Sequence, residues 1–282
     1  MKFLSRIIVF SLLIVLFINT TAQKDSKSGH TIPVKKNTGY FYSYAWAGGM
    51  NSCQFGTVDL NMDGKKDLVV FDRVGNRIMP FVNHGTDGAI DYGYAPEYAS
   101  RFPDINDWMI LVDYDKDGKE DLFTYSPGYA GMKVFRNVSG TTFQFQLIIS
   151  PYLTSFQGGG YTNILVTYAD YPAISDLDGD GDLDILTFWG LGAFVEMHKN
   201  LSFEKYGTYD SLDYEKVSYC WGYFAESEES NVLTLDTCIG MGLHPITRDG
   251  VPVHRLMSST IDSSFLGDGV PMHGMESLLI LR

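Results

Sequence analysis

The stretch DLDGDGDLDIL, Asp176 to Leu186, places a carboxylate at every second residue around a glycine, a pattern able to hold a hard divalent cation. Calcium takes about six to eight oxygen ligands, and a short loop supplies them from side chains at loop positions 1, 3, 5 and 9 plus a backbone carbonyl at position 7. In this stretch those are Asp176, Asp178, Asp180 and Asp184, with the carbonyl of Asp182. Gly181, at position 6, can adopt the positive φ that the sharp turn requires.

Two earlier stretches share the pattern. DLNMDGKKDLVVF offers Asp59, Asn61, Asp63 and Asp67 with the carbonyl of Lys65, and DYDKDGKEDLFTY offers Asp113, Asp115, Asp117 and Asp121 with the carbonyl of Lys119. Up to three calcium sites are therefore expected. In each copy an asparagine follows the first aspartate by 24 residues, at Asn83, Asn137 and Asn200, after the strand-like runs RIMPFV, MKVFR and AFVEMHK. A fixed internal distance of this kind marks one supersecondary unit used repeatedly. The first loop is expected to bind most weakly, because Asn61 replaces an aspartate and Lys65 and Lys66 add positive charge.

The elements around the loops decide which calcium fold this is. An EF-hand needs a bidentate glutamate at position 12 and flanking helices, whereas position 12 holds Val70, Thr124 and Thr187. The segments LVVF, LFTY and ILTF that follow the loops, and WMILV before the second, are rich in β-branched and aromatic residues and read as strands. Each loop then joins two strands of a hairpin, with Leu68, Leu122 and Ile185 anchoring it in a core. On these DxDxDGxxD loops between strands, residues 40 to 200 resemble the FG-GAP or VCBS repeat family. The resemblance implies an all-β, integrin-alpha-like β-propeller, here an incomplete set of about three to four blades with calcium-binding hairpins, and it implies the ligand roles.

Taken in order, the chain opens on MKFLSR and the apolar run Ile7 to Ile18, broken only by Ser11. With small residues at Thr20 and Ala22, residues 1–22 read as a secretory signal, so the protein is expected to be secreted or at the cell surface. Residues 23–38 read as a flexible lead-in, 39–203 as the repeats, 204–257 as a degenerate blade or an insertion, and 258–282 as the start of a further repeat continued after Arg282. The aromatic run YFYSYAW, Tyr40 to Trp46, is expected to pack between strands. Cys220 and Cys238 are expected to pair in an exported chain, leaving Cys53 as a buried small hydrophobe. Asn137 and Asn200 head formal glycosylation sequons, yet Asn83 occupies the same place without one, so a structural hydrogen-bonding role fits all three.

The net charge of −13 argues against nucleic acid or an anionic membrane as partner, and 13 of the 34 acidic residues fall within the three loops. No HExxH, GxSxG, phosphate-binding glycine loop or CxxC occurs. His244, His254 and Asp249 are the best remaining catalytic candidates, and their Pro245 and Gly250 neighbours read as an ordinary loop. The expected function is an exported calcium-binding scaffold for adhesion or for an unidentified protein or carbohydrate ligand, not an enzyme and not inserted in a membrane once the signal is cleaved. Two alternatives stand beside it: the propeller of a secreted polysaccharide lyase or hydrolase, and a structural spacer in a longer surface protein.

Overall fold

A computed structural model describes residues 34–42, 44–86, 91–190, 193–227, 230, 232–235 and 237–238. The expected signal segment, the segment 258–282 and the His244, Asp249 and His254 group lie outside these residues. The described chain is all-β, with sixteen strands in four sheets and one short α-helix besides two 3-10 segments.

The first sheet contains β1 (Cys53–Val58), β2 (Asp67–Asp72), β3 (Arg77–Asn83) and β4 (Tyr92–Tyr94) in sequential antiparallel order. The second repeats it with β5 (Met109–Val112), β6 (Asp121–Ser126), β7 (Gly131–Asn137) and β8 (Phe145–Ile149). A hairpin, β9 (Thr154–Phe156) with β10 (Tyr161–Asn163), is inserted before the third unit of β11 (Ala173–Ser175), β12 (Asp184–Phe188), β13 (Val195–Asn200) and β14 (Tyr214–Ser218). Strand β9 pairs in parallel with β14, extending this unit to six strands. Such four-stranded units are blades, and three of them are consistent with an incomplete β-propeller.

The second strand of each blade places apolar residues at successive positions because both of its faces are covered. Along β2, Val69 and Phe71 face the second blade while Val70 turns the other way to Met79 and Phe81. Along β6, Leu122 packs toward the first blade and Phe123 toward the third, where it meets Ile185 of β12 and Tyr214 of β14. Alternate side chains thus enter successive cores and the blades stack face to face. Burying such a side chain contributes about 1.5–3 kcal/mol. The first strands converge, since a Cβ on Gly56 of β1 would stand 3.0 Å from the Leu111 side chain of β5.

The outer faces of the series are covered by unlike elements. Ala47 lies on the first blade's outer core, with Cys53 half-buried beside it rather than fully enclosed. The aromatic run departs from expectation: Tyr40, Phe41, Tyr42, Tyr44 and Trp46 are all exposed, with no second layer over them among the described residues. Tyr44 still touches the blade, its ring 6.4 Å from that of Phe81. At the other end, Trp221 and Phe224 pack on Leu186 and Val195, and β15 (Phe224–Glu226) pairs with β16 (Leu233–Leu235). The Cys220–Cys238 disulfide brackets this hairpin. The third blade also runs past residue 203, where its end is expected from sequence, since helix α1 (Ser202–Tyr206) and β14 complete it.

Candidate metal centres

Each acidic loop joins the first and second strands of its blade, so the three lie at the same end of the stack: 59–66 after β1, 113–120 after β5 and 176–183 after β11. In the first two loops the position-1 carboxylate turns back on the loop. Asp59 accepts the N–H groups of Asp63 and Gly64, and Asp113 accepts those of Asp117 and Gly118. Asp63 and Asp117 then accept the amides of Lys65 and Lys119, rounding the turn toward the position-7 carbonyl. In the third loop Asp176 accepts from Gly179 and Asp180 accepts from Asp182.

Gly64, Gly118 and Gly181 have positive φ as expected, and so do the residues at position 4, Met62 (63°), Lys116 (59°) and Gly179 (83°). Two loops therefore hold a non-glycine residue in the left-handed region, where a side chain is strained. The sequence signals only the glycines.

The position-9 aspartate does more than face a cation. Asp67, Asp121 and Asp184 are fully buried. One oxygen of each accepts the backbone N–H at position 2, from Leu60, Tyr114 or Leu177 at 2.7, 3.1 and 3.0 Å. The other accepts the N–H of the repeat asparagine, from Asn83, Asn137 or Asn200 at 2.7, 2.8 and 2.9 Å. This carboxylate ties the second strand to the loop and to the end of the third strand.

The asparagines complete the tie, as the repeat register implies. Their side-chain oxygens accept the N–H two residues on, at Gly85, Ser139 and Ser202. The Asn83 and Asn137 amide groups also donate to the carbonyls of Lys66 and Glu120. In the third blade the equivalent carbonyl, of Leu183, accepts the Tyr214 hydroxyl instead, and Asn200 Nδ2 is left without a partner. Asn137 and Asn200 are buried, which leaves no room for a glycan on either.

Carboxylates converge in two of the three loops. Ligand atoms of Asp113, Asp115 and Asp121 lie within 4.8 Å of one another, as do those of Asp176, Asp178 and Asp184. A further group joins Asp178 and Asp180 to Glu204 of α1, a residue the repeat pattern does not single out. In the first loop Asn61 donates to Asp63 and no triple of carboxylates forms among the described residues.

Burial makes several of these carboxylates costly to ionise. Burial, reinforced by neighbouring aspartates and only partly opposed by the backbone donors, pushes Asp121 and Asp184 up to about 7. Burial raises Asp67 and Asp115 as well, and lifts Asp180 to about 6. Carboxylates this costly to ionise are the donor set a dication relieves, and calcium fits their hard oxygen chemistry. Asp182, expected to act through its carbonyl, also buries its side chain, and one oxygen accepts the N–H of Phe203.

Neighbouring loops are cross-tied. Lys66 of the first pairs with Glu120 of the second at 2.6 Å, and Lys116 of the second lies over the Tyr209 ring beside the third at 3.8 Å. A cleft of about 390 Å³ between the first two loops is lined by Asp59, Lys66, Glu120 and Ser139. Neither a curated protein nor a solved structure matches the chain. Residues 113–187, from the first aspartate of the second loop into β12 of the third blade, match the FG-GAP-like repeat family.

Proposed function

We propose that this protein is an exported, calcium-stabilised β-propeller segment that serves as a binding scaffold, with calcium structural rather than catalytic. The observation that carries the reading is the convergence of mutually repelling carboxylates, each set anchored on one fully buried aspartate, in register at one end of the second and third blades. A dication there locks each hairpin by cancelling the repulsion that opens it. Ligands of four carboxylates and a carbonyl leave few open positions for Lewis-acid chemistry. Export is supported by the amino-terminal apolar run and the Cys220–Cys238 bridge, and exported modules work at calcium concentrations that the cytosol lacks. No helix among the described residues is long and apolar enough to cross a membrane. The partner class is a protein or carbohydrate, and the acidic surface disfavours nucleic acid.

The test is thermal unfolding of the chain with excess calcium and with chelator, alongside Asp176→Ala. Asp176 is exposed, so its loss acts chiefly on metal binding. Calcium at a hundredfold excess over Kd adds about 2.7 kcal/mol. A calcium-dependent rise in Tm that shrinks in the variant supports the reading, and a folded protein that melts identically in both conditions removes it.

A further inference from the structure

One repeat position outside the loops varies in step with them. The residue before the repeat asparagine, near the end of each third strand, is Val82, Arg136 or Lys199, while loop position 3 is Asn61, Asp115 or Asp178. Where position 3 is neutral, the strand residue is an enclosed valine, and where it is aspartate, the strand residue is basic.

The pairs are in direct contact. Arg136 Nη2 lies 2.5 Å from Asp115 Oδ2. Lys199 sits on the whole third-loop cluster: its ammonium pairs with Asp178 and Glu204 and lies 3.5 Å from Asp180 Oδ2. Beside it, the fully buried Asp182 leaves its Oδ1 without a partner and lies against the Asp180 carboxyl. Negative charge in this loop therefore exceeds what one ammonium satisfies. Asp115 and Asp178 are also members of the two carboxylate triples that converge as cation sites. An ammonium or guanidinium seated on these oxygens competes with a dication for them.

We infer that Arg136 and Lys199 are tethered cations that occupy the second and third loops in the metal-free protein, and that a divalent ion enters by displacing them. This rests on the calcium reading above. In the third loop Glu204 is the carboxylate that keeps the displaced ammonium beside the site. The device lowers repulsion in the empty loop and weakens the filled one by the same interaction.

The experiment is calorimetric titration of the chelator-stripped full chain with calcium, comparing wild type, Lys199→Met and Lys199→Arg. Lys199→Met is expected to bind one equivalent about tenfold more tightly, the scale of a partly enclosed ion pair, while Lys199→Arg stays near wild type. Unchanged or weaker binding by Lys199→Met overturns the inference. A second measurement needs no variant: acylation of Lys199 in the wild-type chain, followed by peptide mass spectrometry, is expected to speed up when calcium is added. Calcium uptake without that acceleration overturns tethered exchange while leaving the calcium reading intact. A wild-type chain that takes up no calcium overturns both.

Discussion

The first and third repeats share a hydrogen-bond skeleton and differ in charge. Asp67 and Asp184 accept equivalent pairs of backbone N–H groups, and Asn83 and Asn200 end equivalent third strands. Around that skeleton the first repeat has Asn61, Val82 and Phe81, whereas the third has Asp178, Lys199 and His198 at the same places. The geometry of the blade thus rests on the position-9 aspartate and the asparagine, and the remaining loop acids are free to tune charge.

The largest effect is expected where the two repeats agree. Asp184→Ala and Asp67→Ala each leave two enclosed N–H groups without acceptors, at about 1–3 kcal/mol per group. Each is expected to lose roughly 3–5 kcal/mol in denaturant unfolding, even with chelator present. Losses confined to calcium-containing buffer would show that these residues are metal ligands only, and the shared skeleton would have to be abandoned.

The blade series ends differently at its two sides, and that contrast gives the next effect. Ala47 and the exposed aromatic segment lie on the first outer face without a crosslink, while the Cys220–Cys238 bridge pins the hairpin that covers the third. Closing a loop of this length is worth roughly 3 kcal/mol. Cys220→Ser with Cys238→Ser is expected to speed hydrogen exchange in β12 and β13 while β2 and β3 keep their protection. Equal acceleration at both ends would mean the stack unfolds as one unit.

A smaller effect converts the second repeat to the first one's chemistry. Arg136→Val alone strands Asp115 among acidic neighbours and is expected to cost the chelated protein about 1 kcal/mol. Asp115→Asn alone, which leaves the guanidinium without its partner, is expected to cost less. The double variant reproduces the Asn61 and Val82 pairing and is expected to recover most of the loss. Additive costs would show that the match between position 3 and the strand residue carries no coupling.

Much of this was legible in the sequence, since aspartate and glycine spacing locates the loops and an apolar run after each locates a strand covered on both faces. The asparagine register gave the end of each third strand. The last strand of the third blade was hidden, because α1 separates it from the repeat asparagine and YEKVS carries charge where a strand pattern shows apolar residues. The exposure of Tyr40 to Trp46 is not legible in the sequence, because composition does not say whether a second layer covers them. Lys199 and Arg136 needed only one further comparison, the column of residues preceding the asparagines, whereas Glu204 had no repeat counterpart and depended on α1 folding back over the loop.

The smallest expected effect separates the third strands. Phe81 and Phe135 occupy the place that His198 fills in β13, where its ring is fully buried, 3.8 Å from Glu196, which in turn accepts from Lys216 at 3.0 Å. Burial holds the imidazole below its usual pKa against the opposing pull of Glu196, so the folded blade keeps it neutral. The unfolded chain binds that proton near pH 6.5. Folding then excludes a proton, and stability is lost as pH falls below this value. Lys216 repels the imidazolium further, while Glu196, held below its usual range against burial by the Lys216 hydrogen bond and charge, loses its own contribution only at lower pH. His198→Phe, which installs the side chain of the other two blades, is expected to flatten the melting temperature between pH 7 and 5.5 relative to wild type. An unaltered acid slope would place the titration elsewhere and leave the buried histidine as packing alone.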